Sequence, residues 1–284
     1  MIKLPSISDK RGQWRLWSSA ALKILVATLV PMLCSCEKEL DFEYHYEPPK
    51  TVIEGTLDQH GARVSLTLTT PMDEPVDRTR LTDATVTVED LTAGTVRSLL
   101  PDADGYFTDA TPGEPGHSYR LKVLRDGGTY TSDCLMKAPT EILEMKFRWV
   151  KMPYDHVAAL RISLADIPGE ESYYWVRLLR NGKGYQWMFI NDKGMEDGTV
   201  KGATFTTRMD ADEEDEKNRL VDGDVVTAIV TPVSLEMIDY LVALGNDSNG
   251  PAMFSGGFCL GYFLAAPVCE ESVVFHPAEI EVEE

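Results

Sequence analysis

Period-two alternation runs through this chain from residue 51 onward and constrains its fold more than any other feature. Residues 51–57 and 63–69 alternate apolar and polar positions and are rich in β-branched side chains, and residues 84–90 repeat the pattern. Between such segments lie turn formers. Asp102-Ala103-Asp104-Gly105 leads into Tyr106-Phe107, and Asp126-Gly127-Gly128 separates residues 118–123 from 129–132, a strong hairpin signal. Short strands at this spacing, broken by Gly and Pro, pack in two layers because each buries only alternate side chains. The expectation for residues 51–138 is an Ig-like or transthyretin-like β-sandwich.

Pro139 marks the expected boundary to a second, β-rich domain over residues 139–284. Residues 143–150, 157–164, 173–179 and 185–190 read as strands, the last two joined by the turn Asn181-Gly182-Lys183-Gly184. After a further strand at 224–231 the period changes. Ser234 suits a helix N-cap, Leu235, Ile238, Leu241 and Val242 share one face, and Gly245 suits the C-terminal end, so one short helix is expected near 234–244. Residues 258–264 and 272–275 return to strand, and the acidic tail 278–284 is expected to fray. The fold class is therefore mostly β, a sandwich followed by a β-rich domain with one short helix.

The first 50 residues obey a different logic. Lys3, Lys10, Arg11, Arg15 and Lys23 precede an apolar run at residues 24–33, which ends in Leu33-Cys34-Ser35-Cys36. This is the pattern of a bacterial lipoprotein signal: a basic region, a short apolar region, Leu at −3, a small residue at −1, then the cysteine that takes the lipid. So short a run, at about 1.5 Å of helical rise per residue, cannot cross a hydrocarbon core of about 30 Å. Residues 1–35 read as a cleaved signal and Cys36 as the lipidated residue, carrying acyl chains such as palmitate. Cys34 is the poorer acceptor because Leu33 would stand at its −1 position. Residues 36–50 read as a tether, stiffened by Pro48-Pro49.

Charge excludes one class of partner. The chain stands at −19, and the signal carries five of its 27 basic and one of its 46 acidic residues, leaving −23 on the mature protein. Such a surface repels phosphate backbones, so nucleic acid is no partner, and membrane contact is expected through lipid alone.

Catalytic patterns are missing from the sequence. His45, His60, His117, His156 and His276 form no helical i, i+4 pair of the kind a zinc protease needs, and no Gly-x-Ser-x-Gly elbow occurs. Beyond the lipobox the cysteines are Cys134, Cys259 and Cys269, an odd number without a Cys-x-x-Cys spacing. Cys259 and Cys269 either pair across neighbouring strands or, with Cys134, stay as buried thiols. The acidic run from Asp210 to Glu216 offers oxygens for calcium, but Asp215 stands where an EF-hand loop needs glycine and Val221 where it needs a bidentate acid, so a solvated loop is expected. No catalytic residue, metal or cofactor is assigned. Aromatic residues concentrate at Tyr173-Tyr174-Trp175, Tyr185, Trp187 and Phe189. Strand alternation sends some of them outward, and Tyr174, Trp175 and Trp187 are the ligand-binding candidates.

Several motifs, in order, resemble one known family. They are Cys36-Glu37-Lys38-Glu39-Leu40-Asp41, Val52-Ile53-Glu54-Gly55, Asp83-Ala84-Thr85-Val86-Thr87-Val88 and Asp104-Gly105-Tyr106-Phe107. Gly116-His117-Ser118-Tyr119, Gly223-Asp224-Val225-Val226, Ile238-Asp239-Tyr240-Leu241 and Gly261-Tyr262-Phe263 continue the series. The chain is similar in these to the domain-of-unknown-function 4249 lipoproteins of Bacteroidota. What the resemblance implies is a non-enzymatic outer-membrane lipoprotein, on the cell surface or the periplasmic face, accessory to a TonB-dependent receptor. The alternative is a structural or adhesive, fimbria-like surface lipoprotein.

Overall fold

The computed structural model describes residues 48–71, 74–153, 155–166, 171–193, 195, 198–209, 219–248 and 250–283. Residues 1–35, read as a signal peptide, Cys36, most of the stretch read as a tether and the acidic run at 210–216 lie outside the described residues.

The strands follow in chain order as β1 (Thr51–Asp58), β2 (Gly61–Leu68), β3 (Thr85–Asp90), β4 (Thr95–Pro101), β5 (Phe107–Asp109), β6 (Ser118–Arg125), β7 (Gly128–Leu135) and β8 (Ile142–Lys151). Then come β9 (His156–Ala165), β10 (Tyr173–Arg180), β11 (Lys183–Asn191), β12 (Thr199–Arg208) and β13 (Val225–Val233). Helix α1 (Leu235–Gly245) precedes β14 (Leu260–Ala265), β15 (Cys269–Val274) and β16 (Val282–Glu283). The protein is mostly β, as its alternation demands.

Eight strands form the first sandwich, in the order β14-β1-β2-β5-β4-β3-β6-β7. Both halves of this sheet turn one face inward. Ile53, Leu57, Val64 and Leu66 meet Val86, Val88, Leu121 and Val123 in one core, each at most 1% exposed. Each such side chain contributes about 1.5–3 kcal/mol by leaving water. The two outer strands are drawn together. Thr131 and Ser255 exchange backbone hydrogen bonds of 3.0 and 2.8 Å, and the Ala265 N–H donates to Cys134 Sγ at 3.2 Å.

One member of this sandwich comes from the far end of the chain. β14 pairs parallel to β1, bringing Phe263 and Ala265 into the first core. A parallel neighbour requires a long crossover, here residues 59–259, which hold β2–β7 and all of the second sandwich except β15 and β16.

That second sandwich faces a β11-β10-β13-β15 sheet against a β12-β9-β8-β16 sheet. Its core holds Phe147, Leu160, Ile162, Tyr174, Val176 and Val230, with the Phe275 ring edge-on to Phe147 at 5.0 Å. Helix α1 starts where its cap predicts, since Ser234 Oγ accepts from the Met237 N–H at 3.2 Å. The acidic tail, expected to fray, instead adds β16 beside β8. Arg148 pairs with Glu281 and Arg161 with Glu283, so cations on β8 and β9 hold the tail's charge. Cys134, Cys259 and Cys269 are free thiols.

An ion pair at the end of the first sandwich sets a pH dependence. His117 Nδ1 lies 2.8 Å from Asp90 Oδ2, and its other nitrogen 3.5 Å from Glu114. The hydrogen bond to Asp90 raises the His117 pKa above its ordinary 6.5, against a smaller opposing effect of burial. Burial pushes Asp90 up, but His117 and the Ala93 and Thr92 N–H groups outweigh it and leave its carboxyl below 3.8. The histidine's contribution is complete below pH 6.5 and lost as pH rises through its folded pKa; the aspartate's is complete above 3.8 and lost as pH falls. Stability of the natural chain relative to His117→Asn is therefore expected to be greatest between those limits and to shrink towards pH 8. Urea titrations of both proteins across that range measure it, and a pH-independent difference would refute the pair's role.

Candidate functional site

Strand β10 explains which aromatics are available. Its alternation sends Tyr174, Val176 and Leu178 into the second core and Tyr173, Trp175 and Arg177 to the opposite face. Tyr174 is fully buried, with its hydroxyl 3.5 Å from the Ala165 carbonyl oxygen. It does not join the other two sequence-derived candidates. Trp187 stands directly opposite Arg177 in the β10–β11 register, so it shares the outer face with Trp175. Trp187 and its neighbour Phe189 are each 44% exposed.

Trp175 is itself only 9% exposed, because the first sandwich and α1 cover it. Tyr262 of β14 meets the indole edge-on at 6.1 Å, and Tyr240 of α1 lies 5.9 Å from Tyr262. Desolvation pushes the Tyr262 hydroxyl up to about 12, so it stays protonated. The Arg177 guanidinium lies 4.8 Å from the Trp175 ring centre. On the neighbouring strand, Thr231 is the direct partner of Trp175.

Beside this pair opens a cavity of about 470 Å³. Trp175, Arg177 and Thr231 line it from the second sandwich. The first sandwich contributes Thr56 and Asp58 of β1, His60 and Arg63 near the following turn, and Asp109 of β5; Leu264 and Val268 complete it. The β1–β2 turn is fixed in two ways. Gln59 donates to the Val268 carbonyl at 2.7 Å and accepts from the Val268 N–H at 3.0 Å. Gly61, at φ +124°, lets the turn approach β5 so closely that a Cβ would stand 2.2 Å from the Asp109 carbonyl oxygen.

Three buried polar atoms on the cavity's residues, Trp175 Nε1, Arg177 Nε and Thr231 Oγ1, have no hydrogen-bond partner among the described residues. An unsatisfied buried group costs about 1–3 kcal/mol, and native interiors leave few. Asp109 is satisfied by Arg97 at 3.0 Å, and Asp58 accepts from the His60 N–H at 2.6 Å. Arg63 rests on the Tyr106 ring at 3.6 Å, with Arg80 on the same ring at 3.8 Å. Among the described residues, neither Arg63 nor Arg177 has a carboxylate within ion-pair distance. The cavity thus presents free guanidinium charge in a chain of net −19.

The cavity's side chains can offer hydrogen-bond donors and positive charge to a polar ligand. Burial pushes the Cys134 thiol up, and that of Cys259 to about 11, away from the thiolate a nucleophile needs. No three His, Cys, Asp or Glu side chains gather to hold a metal among the described residues. Of the sequence-derived candidates the cavity takes Trp175 alone. Sequence reading missed Arg177, Thr231 and Arg63. The signal for Arg177 was its position two residues after Trp175, an arginine on the same strand face; nothing local marked the other two.

Among the described residues no helix is long and apolar enough to cross a membrane. A family model described as "Domain of unknown function (DUF4249)" matches residues 37–246. No curated protein matches this chain. Among solved structures, the chain is similar to the chicken interferon gamma receptor alpha chain at 8% identity, covering 81% of this chain and 98% of that one with a TM-score of 0.25. It is also similar to a two-domain fibronectin type-III segment of chicken tenascin, at 10% identity, with coverages of 80% and 100% and a TM-score of 0.23.

Proposed function

The chain belongs to the DUF4249 family, whose domain has no known function, and from that premise we propose that it is a non-enzymatic outer-membrane lipoprotein of a Bacteroidota-type envelope. It is held by acylated Cys36 and serves as a binding accessory to a TonB-dependent receptor. The observation that carries this reading is Leu33-Cys34-Ser35-Cys36 behind a basic and then apolar leader. A lipid on Cys36 confines the two sandwiches to a thin layer above the membrane. Confinement raises their effective concentration at a neighbouring receptor without any catalytic step. A cavity lined by Arg63 and Arg177, neither with a carboxylate partner among the described residues, beside half-exposed Trp187 and Phe189 supports binding as the activity.

Affinity purification of the natively lipidated protein from gently solubilised outer membrane tests the reading, with partners identified by mass spectrometry. A TonB-dependent receptor recovered in near-equal amount is the expected result. Recovery of the protein alone, or only with its own copies, would overturn the accessory role and favour the structural or adhesive one.

A further inference from the structure

The cavity beside Trp175 carries an inference that holds whether or not a receptor is the partner. We propose that it binds a small hydroxylated carboxylate, the chemistry of a sugar acid, with Arg177 anchoring the carboxylate. Two of the three partnerless atoms, Trp175 Nε1 and Arg177 Nε, belong to groups that only donate. Both atoms are closed off from solvent, but Arg177 itself lines the cavity and its guanidinium can only donate, so a ligand there must accept. A guanidinium offers parallel N–H groups in one plane, which suit a planar carboxylate and add geometric selectivity to the attraction of charge. The Arg177 plane is already steadied by the Trp175 ring 4.8 Å away, so little side-chain freedom remains to be lost on binding.

The first sandwich supplies the second half of the argument. Asp58 and Asp109 line the cavity with carboxylate oxygens; Asp109 Oδ2 is engaged by Arg97 and its Oδ1 by the Thr111 hydroxyl. Asp58 accepts from the His60 N–H through Oδ1, and its other carboxylate oxygen suits a ligand hydroxyl. A phosphate dianion would bring a second negative charge towards the same carboxylates. Arg63, without a carboxylate partner, adds positive charge at the cavity wall. About 470 Å³ lies within the range of small-molecule sites. The competing account is that water alone fills the cavity.

Isothermal titration of the full chain in detergent micelles separates these accounts. The probes are D-galacturonate, its neutral counterpart D-galactose, and inorganic phosphate. Galacturonate is expected to bind about tenfold to a hundredfold more tightly than galactose, with phosphate no better than galactose. Arg177→Gln is expected to erase the difference, and Thr231→Val to weaken galacturonate by a smaller factor, with thermal unfolding monitored for both. Should Arg177→Gln fail to fold, the comparison of ligands on the natural chain and Thr231→Val decide alone. Equal binding of galacturonate and galactose, equal binding of phosphate, unchanged affinity in a folded Arg177→Gln protein, or no heat from any probe would overturn the proposal. A receptor missing from the affinity purification would leave this titration untouched, so the two readings fail separately.

Discussion

Gly261→Ala is expected to destabilise the protein by roughly 3–5 kcal/mol, a loss at the upper end for single substitutions. Gly261 pairs with Ile53 in the parallel β1–β14 ladder and adopts φ +103°. A Cβ there would stand 1.9 Å from the Ile53 carbonyl oxygen, 2.6 Å from its carbon and 2.9 Å from the Ile53 nitrogen. All three are backbone atoms of a central strand, so no rotamer change relieves the clash, and positive φ adds about 1–3 kcal/mol for a residue with a side chain. Relief requires β14 to leave β1. That would withdraw Phe263 from the first core, with Tyr262 and Leu264 from the layer covering Trp175. Urea denaturation measures the effect. The same variant should lose hydrogen-exchange protection in β14 first, because β14 is an outer strand of its sheet. A midpoint shift equivalent to less than about 1 kcal/mol would mean that the parallel ladder does not form as described.

Why β14 went unplaced shows where sequence reasoning stops. Alternation in residues 51–57 and 84–90 marks which side chains point inward, and the structure buries Ile53, Leu57, Val86 and Val88 accordingly. The Ser234 cap is local too and equally readable, but the helix face is not. Ile238 and Leu241 are buried as expected, while Leu235 and Val242 stay exposed and Met237 packs inward instead, because what covers the helix is set by the sheet it lies on. Pairing partners are not local. Residues 258–264 read as a strand, but nothing within them states that residue 261 meets residue 53 across some 200 positions; only the glycine, isolated in the strand, hinted at a close backbone approach. The tail fell to the same limit, because its acids are held by Arg148 and Arg161, more than a hundred residues away. The candidate site divides likewise. Trp175 stood out as an aromatic on a strand, and Tyr174, adjacent in sequence, was separated from it only by knowing which face the second core takes. Arg177 and Thr231 become a site through the β10–β13 register together with the first sandwich that closes over them, and neither is written in any single segment.

The last prediction concerns the residue on which the proposed location depends. Cys36→Ala is expected to empty the outer-membrane fraction of this protein, and the variant should take up no labelled palmitate. Each buried methylene contributes about 0.8 kcal/mol to anchoring, and one chain alone holds only marginally, so a stable anchor needs the several chains that a lipoprotein cysteine carries. With the leader removed the formal charge is −23, which repels anionic head groups, and no described helix is long and apolar enough to cross the bilayer. Cys34→Ala provides the control, because Leu33 at its −1 position suits the lipid acceptor poorly. Its expected behaviour is that of the natural chain in both assays. Undiminished palmitate labelling and outer-membrane recovery of Cys36→Ala would place the acceptor elsewhere and remove the ground for a lipid tether. Loss of both, with Cys34→Ala unaffected, would fix the anchor at one atom and leave the tether residues up to Pro49 to set how far the first sandwich stands from the membrane.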